Sequence, residues 1–199
     1  LHREIMRYDN TVDNYLEKFI YSLLAKKESG RFPDNEEFTS SLSTKYVYQM
    51  KGKYKAYLFE RFENFGTVET KDVYTHLDNN VYTIEHIMPQ HLTAAWIRDI
   101  GEDDCFTIHE TWLHRIANLT LTAYNSKYSN NTFEEKKKMK NGFIESGIRM
   151  NQWIAQKDVW TQSELEERSE YLTKRALEIW DMPRADYKPA EKQMDFYNF

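Results

Sequence analysis

An acidic residue and a histidine stand side by side in the stretch Tyr82-Thr-Ile-Glu-His-Ile-Met-Pro-Gln90. The carboxylate of Glu85 is a hard oxygen donor that suits Mg²⁺ or Mn²⁺, and a histidine that is neutral near pH 7, such as His86, can act as a base. Hydrolysis of a phosphodiester needs a base to activate water and a cation to stabilise the charge on the phosphate. Together with a second stretch that carries asparagines, the pair predicts a metal-dependent nuclease site.

A second stretch, His114-Arg-Ile-Ala-Asn-Leu-Thr-Leu-Thr-Ala-Tyr-Asn125, carries asparagines that complement this pair. The amide oxygen of Asn125 can bind the same ion, and Mg²⁺ keeps several of its waters, so two protein oxygens are enough. Asn118 lies at the start of a strand-like run. An asparagine there can bond the backbone of the preceding loop and hold the base in register.

Two short β-like segments are predicted to position these side chains. Val81-Tyr-Thr-Ile84 is rich in β-branched and aromatic residues, and Leu113 to Thr122 contains the alternating run Asn-Leu-Thr-Leu-Thr. Side chains alternate across a strand, so Glu85 and His86 would point to opposite faces. The chain must therefore turn, for which Pro89 is suited, if both are to serve one site.

The sequence on either side of these segments is mainly helical. Apolar residues recur at helical spacing from Val12 to Leu24 and from Lys53 to Phe65, and Gly30 and Gly66 follow as natural ends. Residues 91–112 have no clean period, which predicts a loop with a helical turn or two.

Two capping boxes predict further helices. Thr132 with Glu135 begins one, and Ser163 with Glu166 begins a long final helix. Pro183 ends that helix because proline cannot continue the hydrogen-bonded ladder.

The first of these helices carries four lysines in the run Glu134-Glu-Lys-Lys-Lys-Met-Lys140. Such a run can meet phosphate groups. It can equally be a solvated helical face on which glutamate and lysine pair with each other. The sequence leaves both interpretations open.

Composition favours a helix-dominated fold, because six glycines and four prolines in 199 residues are too few for a turn-rich, all-β chain. The net charge of −5 is weak evidence against a nucleic-acid partner, since a local basic patch can lie on an acidic protein. One cysteine, Cys105, excludes an internal disulfide and a multi-cysteine zinc cluster.

No apolar run approaches the roughly 20 residues that cross a bilayer, and no signal-peptide segment opens the chain. We therefore expect no membrane association and a cytoplasmic location. Because the chain opens on Leu1 rather than Met, we expect it to be part of a longer protein.

Three of these segments together resemble the signature of HNH (ββα-metal) nucleases: Glu85-His-Ile-Met-Pro89, Asn118-Leu-Thr-Leu121 and Asn125-Ser-Lys127. More narrowly, the chain resembles the C-terminal domain of GmrSD-type modification-dependent restriction endonucleases, from about residue 12 to Trp180. That resemblance rests on four stretches in order: Phe32-Pro-Asp-Asn-Glu-Glu-Phe38, Tyr82-Thr-Ile-Glu-His-Ile-Met-Pro-Gln90, His114-Arg-Ile-Ala-Asn-Leu-Thr-Leu121 and Asn131-Thr-Phe-Glu-Glu-Lys136.

With the helical pattern, the resemblance predicts a mainly α fold, α+β overall, around a small ββα-metal core made of a β-hairpin and a helix. The predicted organisation follows the chain. It consists of a helical layer at 1–80, the nuclease core at 81–147, C-terminal helices at 148–182 that pack on the same domain, and a tail at 183–199.

Carried over residue by residue, the resemblance implies that His86 is the general base and that Asn118 is the asparagine that fixes the loop. It implies that Glu85 and Asn125 are the ligands for Mg²⁺ or Mn²⁺. The accessory residues would be His114 and Lys127. The family usually has glycine where this chain has Ala117, a change that can alter the turn before the asparagine.

The same resemblance implies that the substrate is modified or foreign DNA, and that full-length relatives carry an N-terminal nucleotide-using domain absent from this chain. No phosphate-binding glycine loop occurs here, which fits a chain that holds only the nuclease half. A second hypothesis is a catalytically silent DNA- or protein-interaction module with an HNH-like fold. The retained site residues disfavour it, and a helical scaffold unrelated to nucleases would need all four stretches to match by accident.

Overall fold

The structure, a computed structural model, describes residues 14–188, apart from the side chains of Ser29, Asn125 and Ser126. In chain order the helices are α1 (Tyr15–Leu24), α2 (Asn35–Thr44), α3 (Gly52–Asn64), α4 (Val73–Asp78), α5 (Ala94–Ile100), α6 (Cys105–Trp112), α7 (Asn125–Tyr128), α8 (Phe133–Lys138), α9 (Met150–Ala155) and α10 (Gln162–Ile179). The strands are β1 (Thr83–His86) and β2 (Leu119–Thr122). Short 3-10 turns cover Glu28–Gly30, Val47–Gln49 and Ile116–Asn118.

The two strands form an antiparallel pair, with Glu85 opposite Thr120 and His86 opposite Leu119. A helix-dominated α+β fold is therefore confirmed. The second strand begins later than predicted, at Leu119, because Ile116–Asn118 forms a buried 3-10 turn ahead of it.

Helix α3 confirms the helix predicted at 53–65. Its buried residues Ala56, Phe59 and Phe62 recur every three positions, so one side of the helix faces the core. The helix is followed by Gly66, whose φ of +74° lies in the left-handed region that favours glycine. The spacing of the apolar residues and the glycine after the helix were therefore sufficient to predict α3.

The segment at 91–112, predicted as a loop with a helical turn or two, forms two helices, α5 and α6. Thr93 caps α5 by accepting a hydrogen bond from the backbone N–H of Trp96. The Trp96 side chain is fully buried, and its Nε1 donates to the carbonyl of Asn131 at 2.9 Å. A contact across the fold therefore stabilises helical structure that the local sequence pattern does not show.

The capping box at Thr132 and Glu135 is confirmed at the start of α8. The box predicted at Ser163 and Glu166 is wrong. Thr161 is the N-cap of α10, where its backbone N–H and its hydroxyl both donate to the carboxylate of Glu164. The same motif therefore occurs two residues earlier, directly after the buried Trp160.

The described residues divide into two compact units. One unit, Thr39–Trp180, contains both strands and a core built around large buried side chains, chiefly Trp96, Trp160 and Phe143. The other comprises residues 14–38 and 181–188, where the carboxylate of Glu17 accepts a hydrogen bond from the backbone of Asp186.

The helix predicted from position 12 is confirmed as α1, beginning at Tyr15, while Val12 lies outside the described residues. Residues 189–199 of the predicted tail also lie outside them, and the predicted division into 1–80, 81–147, 148–182 and 183–199 stays a prediction. Within 14–188, no helix is both long enough and apolar enough to cross a membrane. Cys105 is a buried free thiol.

Candidate active site

Glu85 and His86 both belong to β1 and are both buried, with 3% and 5% of their surfaces exposed. Their side chains have different partners, because neighbouring positions on a strand face opposite sides of the sheet. His86 contacts His114 and Tyr48, whereas Glu85 contacts Lys136. The structure therefore does not bring the carboxylate and the imidazole together as one site.

His86 lies in a cluster of aromatic rings. Its Nε2 is 3.3 Å from Nδ1 of His114, a distance at which one imidazole donates a hydrogen bond to the other. The centre of the Tyr48 ring is 4.3 Å from that of His86, and the same tyrosine stacks on His114 at 5.4 Å. The backbone N–H of Tyr48 also donates to the His114 carbonyl. These contacts restrict the orientation of the His86 ring.

Burial lowers the pKa of His86 to about 3, with further lowering by His114, Lys136, His109 and Lys55. The imidazole is therefore neutral near pH 7 and can accept a proton. The half-buried His114 also has a lowered pKa, first because of burial and then because of His109.

On the other face of β1, Lys136 of α8 is fully buried, and its ammonium group donates three hydrogen bonds. They go to Oε1 of Glu85 at 2.6 Å, to the carbonyl of His86 at 2.8 Å and to that of Ile87 at 3.1 Å. Burial raises the pKa of Glu85 against the opposing effect of Lys136, and burial lowers the pKa of Lys136. Lysine has three donors, so this geometry uses all of them to hold the end of β1.

This arrangement does not fit Glu85 as a metal ligand. A divalent cation on the Glu85 carboxylate would lie within a few ångströms of the Lys136 ammonium, where two positive groups repel strongly in a buried environment. The described residues also contain no group of three or more His, Cys, Asp or Glu side chains placed to hold a metal ion. The ligand role of Glu85 stays a prediction, and Lys136 argues against it in this conformation.

Asn118 fixes the chain that follows His86. Its Oδ1 accepts from the backbone N–H of Met88 at 2.8 Å and from Nε1 of Trp160 at 3.2 Å. Its Nδ2 donates to the carbonyls of Met88 at 2.9 Å and Leu113 at 3.2 Å. The fully buried amide is thus satisfied at both ends, and it ties the segment after β1 to the turn before β2.

We expect Asn118→Ala to reduce the free energy of unfolding by about 2 kcal/mol, because it leaves buried backbone groups of Met88 and Leu113 without partners. Urea denaturation followed by circular dichroism measures this loss. Asn118→Asp serves as the comparison, since it keeps Oδ1 but replaces the donating Nδ2 with an oxygen that faces two carbonyls. A loss equally small in both variants would contradict the assignment of these hydrogen bonds.

The other predicted residues have different surroundings. Asn125 is the first residue of α7, a helix that packs against β1, while its side chain lies outside the described part of the structure. Lys127 is on the same helix and is exposed. Of the predicted set, the structure therefore places His86 and His114 in direct contact.

Two residues at this site were not predicted from the sequence to act there. Lys136 was part of a lysine run interpreted as solvent-facing or phosphate-binding. A usable signal existed, because Lys136 is three residues after Phe133 and so shares the buried side of α8. Tyr48 has no such signal, since its contact with His86 joins segments far apart in sequence.

Comparison with known protein families matches residues 32–175 to the C-terminal domain of GmrSD restriction endonucleases. The matched range contains both strands and the whole His86 cluster. Comparison with curated proteins gives no match. Since the family match covers well over half of the chain, the chain belongs to the family of GmrSD restriction endonuclease C-terminal domains.

Proposed function

We propose that this chain is the DNA-cleaving domain of a restriction endonuclease, that it is of the HNH type, and that it hydrolyses phosphodiester bonds of modified or foreign DNA. The observation that carries the proposal is the position of His86. It is a neutral, ring-packed histidine at the end of a short strand, in a chain whose family consists of restriction endonuclease domains. The order β1, β2 and α7 is compatible with a ββα arrangement.

In this proposal His86 acts as the general base. It accepts a proton from the attacking water as the new bond to phosphorus forms and the bond to the leaving oxygen breaks. A phosphate group next to the ring favours the protonated form, so bound DNA raises the pKa of His86 towards the range useful for a base. His114 and Tyr48 orient the ring, and Asn118 holds the backbone beyond it.

Dependence on Mg²⁺ or Mn²⁺ is part of the proposal and rests on the HNH resemblance. Such an ion, when bound, stabilises charge on the phosphate and the leaving oxygen. Magnesium commonly uses one or two protein oxygens together with substrate phosphates, which is compatible with the lack of a preformed cluster among residues 14–188. Asn125 is retained as a proposed ligand. Glu85 is retained as the second proposed ligand, although the ammonium group of Lys136 on its Oε1 opposes a cation there.

The proposal is tested by incubating the chain with supercoiled plasmid and with phage DNA that carries modified bases. We expect nicked and linear products with Mg²⁺ or Mn²⁺, and none in EDTA. Activity that is unchanged in EDTA would refute metal dependence. If neither DNA is cleaved with either metal, the result would favour the catalytically silent module. The ion pair between Lys136 and Glu85 is compatible with that alternative, because it occupies a carboxylate proposed to bind the metal.

We also propose that the full-length protein joins this chain to an N-terminal nucleotide-using domain that licenses cleavage. This partner rests on the family resemblance. Adding the partner domain and nucleotide in trans is the corresponding test, and the expected result is a faster rate of cleavage.

A further inference from the structure

A concentrated basic segment precedes and begins helix α3. Between Glu37 and Glu60 the chain has no acidic residue, although the protein as a whole has a net charge of −5. The same segment carries four lysines, and tyrosines alternate with them. We use the name lysine–tyrosine face for its exposed members, which are Lys45, Tyr46, Lys51, Lys53 and Tyr54.

The lysines of this face lack acidic partners. Among the described residues, Lys45, Lys51 and Lys53 form no ion pair. Lys53 lies over the ring of Tyr54 at 5.0 Å, which keeps its charge on the surface. Helix α3 also has no acidic residue in its first turn, so its positive end and these lysines add to one another. The local field therefore favours an anion.

The face surrounds an open groove. A cavity of 680 Å³ is bounded by polar, aromatic, aliphatic and basic side chains without a carboxylate among them: Ser41, Thr44, Lys45, Tyr46, Gln49, Met50, Lys51 and Tyr54. The buried side chains of Val47 and Phe59 anchor the segment on its inner side. Lys45 and Lys51 line this groove without an acidic residue beside them in the lining, and their positive charge favours a polyanion.

The face adjoins the His86 cluster. Tyr48, between Tyr46 and Lys51 in the chain, packs against His86, and the ring of Tyr46 lies 6.1 Å from that of His114. Lys55, one turn further along α3, donates to the carbonyl of Tyr48 at 2.9 Å, and its charge contributes to lowering the pKa of His86. A strand of DNA lying in the groove would therefore pass beside the proposed base.

We propose that the lysine–tyrosine face binds the sugar–phosphate backbone of duplex DNA and directs it to His86. Lysine ammonium groups and tyrosine hydroxyls both contact phosphates, and such contacts position a duplex without reading its sequence. The inference rests on the proposed function, since it concerns how the same substrate reaches the same site.

The competing basic segment, Lys136 to Lys140, is less available. Lys136 is buried against Glu85, Lys137 pairs with Asp158 at 3.1 Å, and Lys138 pairs with Glu134 at 2.7 Å. The structure thus assigns most of this run to internal and intrahelical pairs.

The test is a binding titration of the full chain with a short fluorescent DNA duplex in EDTA, at several salt concentrations. We expect the triple variant Lys45→Gln, Lys51→Gln and Lys53→Gln to raise the Kd on the order of 100-fold near 0.1 M salt. The slope of log Kd against log salt should become shallower by about 2.7, which corresponds to three lost phosphate contacts. These side chains are exposed, so the melting temperature should not change.

The matched control removes the same charge elsewhere, through Lys138→Gln, Lys140→Gln and Lys174→Gln, which are also exposed lysines. We expect it to leave both Kd and slope close to wild type. Equal losses in the two triple variants, no loss in the first, or no measurable DNA binding by the wild type would each overturn the inference. Binding is measured without metal and without turnover, so a chain that binds through these lysines but never cleaves would refute only the proposed function.

Discussion

Replacing His86 with alanine is expected to reduce the single-turnover rate of DNA cleavage by about 10²- to 10⁴-fold, the usual contribution of a general base. The variant removes the proposed proton acceptor. The phosphate-binding lysines stay in place, so the Kd for DNA should remain close to that of the wild type. Rates are measured on supercoiled plasmid at saturating protein, and the Kd on a fluorescent duplex.

A suitable control for this variant is His76→Ala. His76 also stacks on a tyrosine, Tyr82, at 4.7 Å, but it has no contact with the His86 cluster. We expect its cleavage rate to match the wild type, while His114→Ala should show an intermediate loss because the His86 ring loses one of its two orienting contacts. Full activity in His86→Ala would refute the assignment of the base.

Replacing Lys136 with methionine is expected to be the most destabilising change near the site. It leaves the Glu85 carboxylate buried without the ammonium group that pairs with it, and breaking one side of a buried ion pair costs about 3–5 kcal/mol. For a chain of this length the melting temperature should fall by roughly 10 °C. Differential scanning calorimetry measures the fall.

The double variant Lys136→Met with Glu85→Gln should recover much of this loss, because no buried charge is then left unpaired. The matched control is Lys138→Met, two residues away on the same helix, where the pair with Glu134 is exposed and little change is expected. If the double variant is no more stable than Lys136→Met, the Glu85–Lys136 pairing is not the source of the effect.

The single variant Glu85→Gln decides the role of Glu85. If Glu85 serves only to pair with Lys136 and does not bind metal, Glu85→Gln should leave the affinity of the protein for Mn²⁺ unchanged. Electron paramagnetic resonance measures this affinity. A clear loss of affinity would instead support the ligand role that the sequence predicts, and would require Lys136 to move when metal binds. This measurement does not depend on cleavage.

Several elements could be predicted from the sequence because their determinants are local. The repeating apolar residues of α3 and the capping box of Thr132 and Glu135 each lie within a few positions, so neighbouring residues decide the conformation. The helices α5 and α6 could not be predicted in this way. Their sequence lacks a clean period, and burial of Trp96 against a distant part of the chain stabilises α5.

The sequence alone was enough to indicate the family, the two short strands and the position of His86 at the end of the first, because motifs and strand patterns are contiguous. Only the tertiary structure decided what each side chain faces. Glu85 and His86 are neighbours in the chain, yet one binds Lys136, which is 51 residues away, and the other contacts His114, which is 28 residues away. Alternation along a strand predicts that the two separate, but which group meets each of them depends on how α8 and the Tyr48 segment pack against the sheet.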